Sequence, residues 1–260
     1  MMSKFILRRI IQLIFLLLSI YIVMTAVNFI SHRYCPYAVI CFGLRGLNPE
    51  VGFFFITAII GGLIILLSTL FIGRRFCGYV CPLGTVIEYL NYLNPFRKKV
   101  LRKRVPPNVE KSLRLGKYLI LIGTALFAFF LWGYLYYQIC PVMLATGSVN
   151  FTPWGIIITA VIIIGSIFVM RFWCRYLCPY GALMNCFQFI GKKFGIKRSM
   201  IYRNLEVCND CRCCEYNCQM NIDITDAEYI EDLNCIFCLN CIKACPKDMC
   251  LTLDSNKNFQ

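Results

Sequence analysis

Eight cysteines near the end of the 260-residue chain stand at one repeated spacing. Cys208, Cys211, Cys214 and Cys218 form the first run; Cys235, Cys238, Cys241 and Cys245 form the second, closed by Pro246. Each reads C-x2-C-x2-C-x3-C, the pattern by which two-cluster ferredoxins hold a pair of 4Fe-4S cubanes. Three closely spaced thiolates take three irons of one cube, and the fourth, set off by three residues, reaches the other cube. That rule assigns Cys208, Cys211, Cys214 and Cys245 to one cluster and Cys235, Cys238, Cys241 and Cys218 to the other. A single CxxC is shared with zinc ribbons and disulfides; two complete runs are hard to reach by chance. The first run has Gln219 where the second has Pro246, and it carries an extra Cys213. Cys213 and Cys250 read as bystanders.

A second constellation is duplicated. Arg74 to Gly84 reads RRFCGYVCPLG, and Arg171 to Gly181 reads RFWCRYLCPYG. Each gives Arg, an aromatic, Cys, Tyr and then Cys-Pro-x-Gly, and each follows an apolar stretch and an earlier Cys-Pro pair, at Cys35 or Cys140. The chain therefore contains an internal repeat whose copies run parallel. A pseudo-twofold brings Cys77 and Cys81 opposite Cys174 and Cys178, a complete four-thiolate set for a third iron–sulfur cluster. Its type, 4Fe-4S or 2Fe-2S, is open on spacing, and zinc is the alternative metal. Arg74, Arg75, Arg171 and Arg175 would offset the negative charge of cluster and thiolates. Proline after the second cysteine keeps that cysteine out of helix and frees backbone donors for sulfur. Cys35, Cys41 and Cys140 are too few for an all-cysteine cubane. A disulfide between Cys35 and Cys140, a redox-active thiol pair and a cluster shared with a partner are all compatible with them.

These residues need elements to position them, and composition indicates which. The chain is 59% hydrophobic and 15% charged, with a mean hydropathy of +0.65, against about half and about a quarter in an average soluble domain. The expected fold is an α-helical membrane protein, with four transmembrane helices as two pseudo-symmetric pairs. Uncharged stretches at 10–30, 51–72, 118–139 and 151–170 supply them, each covering roughly 30 Å at ~1.5 Å per residue. A small α+β ferredoxin domain of the bacterial two-cluster type follows, dividing the chain into 1–195 and 196–260. The first helix reads as uncleaved, because no small-x-small site follows it. The loop from Gly73 to Lys117 holds eleven Lys and Arg. By the positive-inside rule that loop and both termini are cytoplasmic, in a multi-pass protein of the cytoplasmic membrane. Lipid headgroups rather than nucleic acid account for its charge. Cluster ligation by most of the 18 cysteines requires a reducing compartment. The single histidine, His32, rules out bis-histidine haem, and no CxxCH is present.

The CGYVCPLG and CRYLCPYG motifs, together with the two four-cysteine runs, resemble the NapH family of membrane ferredoxins. The wider group sharing these motifs includes NosR and CcoG. The resemblance covers nearly the whole chain, to Pro246; the missing flavin-attachment motif and large extracytoplasmic domain argue against NosR itself. It implies an electron-transfer subunit of a quinol-dehydrogenase-type oxidoreductase, passing electrons between the membrane and a soluble redox partner. The donor would be the quinol pool or a transmembrane partner, with other redox subunits in the complex. No residue marks a quinone site, and Glu50 and Glu88 are the nearby candidates for accepting a quinol's protons. The alternatives are a CcoG-like copper reductase or assembly factor and a redox-sensing membrane anchor.

Overall fold

The computed structural model describes residues 2–25, 52–95, 104–131 and 153–257. In chain order these form α1 (Met2–Thr25), α2 (Gly52–Ile72), the short α3 (Arg75–Tyr79), α4 (Pro82–Leu93), α5 (Pro107–Leu131) and α6 (Pro153–Phe168). A π-turn over Trp173–Leu177 then leads into α7 (Pro179–Lys193). The remaining elements are β1 (Arg198–Arg203), α8 (Cys213–Tyr216), β2 (Tyr229–Ile230), α9 (Asn240–Ala244) and β3 (Leu251–Lys257).

The repeated motif folds the same way twice. Cys81 and Cys178 are both extended, with ψ of 116° and 108°, and the proline after each opens a helix, α4 or α7. Proline excludes α geometry from the residue before it and fits the first helical position, where no N–H is required. In each copy the backbone closes a wide i→i+5 turn just before the proline. Cys81 N–H donates to Phe76 O at 3.0 Å, and Cys178 N–H donates to Trp173 O at 2.9 Å.

The four-span fold and the multi-pass membrane placement expected from the sequence are corrected here. Among the described residues, no helix is long and apolar enough to cross a membrane. Helix α6 has 16 residues, about 24 Å at 1.5 Å per residue against the ~30 Å of a bilayer core. Helix α5 carries Glu110, Lys111, Arg114 and Lys117 in its first half. The basic charge that suggested a cytoplasmic side, with both termini on it, also has an internal explanation. Arg8 is buried against Glu88, and Arg104 binds Glu215 at 2.7 Å and Asp223 at 2.8 Å. Arg114 binds Asp232 at 3.2 Å, and Lys192 binds Glu231 at 2.6 Å. Ten of the chain's thirteen acids lie in residues 198–257, so the basic helices face an acidic carboxyl-terminal region. Helices α2, α5 and α6 leave Ile64, Leu119 and Phe168 exposed on their outer faces.

That carboxyl-terminal region is a three-stranded antiparallel sheet in the order β2-β1-β3, pairing Ile201 with both Ile230 and Leu253. Strand β1 is central and mostly buried, with α2 packed against it. One core continues across the junction: Ile201, Ile230, Leu251, Ile236 and Phe237 cluster with Leu66, Tyr180 and Met184 of the helices. Gly61, by contrast, sits inside α2 with open space around its Cα. Replacing it with Ala removes a helix-interior glycine without a clash, and is expected to raise stability by about 0.5–1 kcal/mol, read by thermal melting.

Candidate metal centres

The sequence assigns the fourth cysteine of each run to the cluster of the other run. Cys218 lies with Cys235, Cys238 and Cys241 around one small apolar pocket. Ile201, Met220, Ile222, Ile224, Ile230 and Ile236 complete its wall. Burial, then the neighbouring thiols, push Cys235 up to about 12 and Cys241 well above the ordinary thiol range. Burial, then Cys238, push Cys218 up to about 11. Cys245 lies in turn near Cys214. Cys211 is exposed, and Arg203 Nε donates to Cys208 Sγ at 3.3 Å. The expected bystanders are not remote: Cys213 adjoins Cys211, and Cys250 adjoins Cys208 and Cys245.

Both runs curl alike. Asp210 and Arg212 in the first, and Phe237 and Leu239 in the second, have φ between 52° and 59°. Non-glycine residues avoid this left-handed region, so four of them at matched positions mark loops held by something beyond local preference. Alternating hands turn successive N–H groups inward, making a concavity for an anion. At Cys208 the Asp210 amide and Arg203 outweigh burial and lower the pKa, whereas at Cys235 the Phe237 amide only opposes the rise that burial causes.

The two Cys-x3-Cys-Pro copies also converge. Cys77, Cys81, Cys174 and Cys178 are close enough that each of the other three raises the Cys81 pKa, after burial itself, and burial followed by Cys174 pushes Cys178 up to about 12. In the second copy Gly181 N–H donates to Cys178 Sγ at 3.3 Å, from the first turn of α7. In the first copy the Gly84 amide acts on Cys81 in the same sense, without a capping hydrogen bond. The copies interlock through arginine. A Cβ on Gly84 would stand 2.8 Å from Arg171 Nη1, and one on Gly181 would fall inside contact with Arg74 Nη2. Each copy's arginine thus occupies the space left by the other copy's glycine. Phe76 stacks edge-on to Tyr180 at 5.9 Å across the same seam.

Among the described residues, no three Cys, His, Asp or Glu side chains close on one point as ligands of a single metal ion do. A cubane needs something different, because each thiolate binds its own iron at a separate corner. Cys218, Cys235, Cys238 and Cys241 around one pocket fit that requirement, and buried thiols with raised pKa become thiolates when a metal displaces the proton. Cys35, Cys41, Cys140 and His32 lie outside the described residues.

Sequence reasoning named Glu88 only as a candidate proton acceptor and passed over Glu110, Arg8 and Gln12, which help join these sites. Glu88, fully buried, pairs with Arg171, with Arg8 at 2.5 Å and with Arg9 at 3.2 Å. Gln12 and Gln219 also donate to it, each at 2.9 Å. Burial alone would raise its pKa; Arg171, then Arg8 and Arg9, hold it down at about 2. Arg8 also donates to Gly78 O and Cys238 O, both at 3.0 Å, and Arg171 donates to Cys77 O at 3.0 Å. Gln219, the departure from the ferredoxin pattern, accepts from Arg171 Nε at 2.7 Å, a contact proline could not make. Glu110 is a second hub, binding Arg175, Arg114 at 2.9 Å and Tyr176 Oη at 2.7 Å. The available signal was scarcity: outside residues 198–257 the only acids are Glu50, Glu88 and Glu110.

Comparison with known proteins is consistent with this geometry. A family model described as a 4Fe-4S binding domain matches the chain twice, over residues 54–104 and 151–197, one match on each copy of the repeat. The uncharacterized protein MJ0750 of Methanocaldococcus jannaschii is 32% identical over 192 residues, covering 71% of this chain and 74% of that protein. The putative electron transport protein YccM of Escherichia coli K12 is 31% identical over 204 residues, covering 73% of this chain but 53% of YccM. The ferredoxin-type protein NapH of the same organism is 26% identical over 202 residues, covering 74% and 66%. No solved structure matches the chain.

Proposed function

The chain belongs to the NapH-like ferredoxin-type family and is an iron–sulfur electron-transfer protein; we propose that it is a relay subunit with three iron–sulfur sites in series, exchanging electrons between redox partners. The sites are Cys77/Cys81/Cys174/Cys178, then Cys235/Cys238/Cys241/Cys218, then Cys208/Cys211/Cys214/Cys245. Iron–sulfur clusters, when bound there, supply one-electron storage and transfer. The chain contributes ligation, burial and spacing.

The observation that carries this reading is the contact between the first two sites. Gly78, between Cys77 and Cys81, packs its Cα against the carbonyl of Ile236, between Cys235 and Cys238. Arg8 bridges the same two loops through Gly78 O and Cys238 O, and the Arg75 guanidinium lies 5.2 Å from the Phe237 ring. At the other end Cys211 is exposed, offering a surface exit to a redox partner. In this scheme a quinol is the proposed electron source, and a soluble quinol such as duroquinol tests it: failure to reduce protein that dithionite reduces removes quinol from the scheme.

Iron and acid-labile sulfide, counted with EPR on anaerobically purified protein, test the sites themselves. Three cubanes predict about 12 irons per chain, and a Cys77→Ser, Cys174→Ser double variant is expected to retain about 8. A wild type already at about 8, unchanged by the double substitution, would sink the third site.

A further inference from the structure

Arg74 and Arg171 hold equivalent places in the repeat but meet different surroundings. Arg171 is ion-paired with buried Glu88. Arg74, also fully buried, has no carboxylate partner among the described residues. Its Nη1 donates to Asn185 Oδ1 and Asn234 Oδ1, each at 3.3 Å; its Nη2 lies 4.0 Å from Cys77 Sγ, and its Nε has no hydrogen-bond partner. A second buried basic group, Lys117, donates to the same Asn234 Oδ1 at 2.5 Å, its pKa lowered to about 7 by burial and then by Arg74. Asn185 Nδ2 donates to that oxygen too, at 2.9 Å. Two buried basic groups thus share one neutral acceptor. Buried charge is costly unless it is paired; Lys117 has Asp232 within electrostatic reach, whereas the groups near Arg74 that can carry negative charge are the thiols of the four-cysteine set.

We propose that Arg74, with Lys117 behind it, sets the reduction potential of the centre held by Cys77, Cys81, Cys174 and Cys178, favouring its reduced form, whereas Glu88 takes up the charge of Arg171. The proposal rests on the reading that these four cysteines hold a cluster. Reduction adds one electron from an external reductant and makes or breaks no bond, so the added negative charge falls opposite a cation that no acid neutralises. The sequence equivalence of the two arginines hides this asymmetry; the partners reveal it.

The test is an anaerobic potentiometric titration of the full chain followed by EPR, with iron counted on every sample. Arg74→Gln is expected to keep the wild-type iron content and to lower the midpoint of the repeat-centre signal by about 59 mV or more, a tenfold change for one electron. The two ferredoxin signals should stay in place, Arg74→Lys should restore most of the shift, and Arg171→Gln should move the midpoint less. An unmoved midpoint in iron-replete Arg74→Gln, or an equal shift in Arg171→Gln, overturns the proposal. Where Arg74→Gln loses iron, Lys117→Met decides: a lowered midpoint supports the proposal and an unchanged one overturns it. Wild type with about 8 irons and only the two ferredoxin signals is a separate result. It overturns the four-cysteine site and this inference with it.

Discussion

Glu88→Gln is expected to cost the fold about 3–5 kcal/mol, the range for breaking a buried ion pair from one side. The side chain is almost the same size, so the loss is one of charge rather than of packing. Arg8 and Arg171 would remain buried, each without its carboxylate, at the point where α1, both copies of the repeat and the ferredoxin loops meet. Denaturant unfolding of wild type and variant measures the difference. The pH dependence follows from the carboxyl's shift. Its pKa is held at about 2, against an ordinary 4.5, so its contribution is fully present above 4.5 and is lost as pH falls toward 2. Between pH 8 and pH 5 the gap between the two proteins should therefore be flat. A gap below about 1 kcal/mol, the scale of an exposed pair, would show that Glu88 does not hold the junction together.

Gly78→Ala is expected to separate the first two centres. The added methyl would fall inside the contact distance of Ile236 O, a backbone atom that cannot swing aside. Overpacking of this kind costs about 1–3 kcal/mol, and relief is available only by moving one cysteine loop away from the other. Hydrogen exchange should quicken in 74–81 and 235–241 while β1 and β3, held by their own strand pairing, stay protected. In loaded protein, any spin–spin broadening between the EPR signals of the two neighbouring centres should fall. Unchanged exchange and unchanged line shapes would mean that the contact is incidental to the relay.

The cysteine patterns were legible because ligation fixes residue type and spacing together. Three closely spaced cysteines and a fourth from the other run can be paired on paper, and Cys218 lines one pocket with Cys235, Cys238 and Cys241. The internal repeat was legible for the same reason. The membrane placement was misread because hydropathy and loop charge carry no information about partners. Arg8, Arg104, Arg114 and Lys192 look like free surface cations in a one-dimensional reading, yet each meets an acid distant in sequence. Gln219 shows the same limit on a smaller scale: as a departure from a motif it looked like variation, whereas it joins Arg171 to Glu88. Long-range polar networks leave no periodicity, so Glu88 and Glu110 could be flagged by rarity alone.

The exchange of arginine and glycine across the repeat has a consequence for how such a chain can arise. One half carries both a projecting cation and the bare Cα that receives one. Two identical halves related by a twofold axis would satisfy each other, since an isologous interface pairs a residue on each side with its counterpart on the other. A half alone would have a key with no lock and a lock with no key. Joining two such halves in one polypeptide frees them to diverge, and the divergence is visible where Glu88 now answers one arginine and neutral amides answer the other. A symmetric pair would have had to treat both alike.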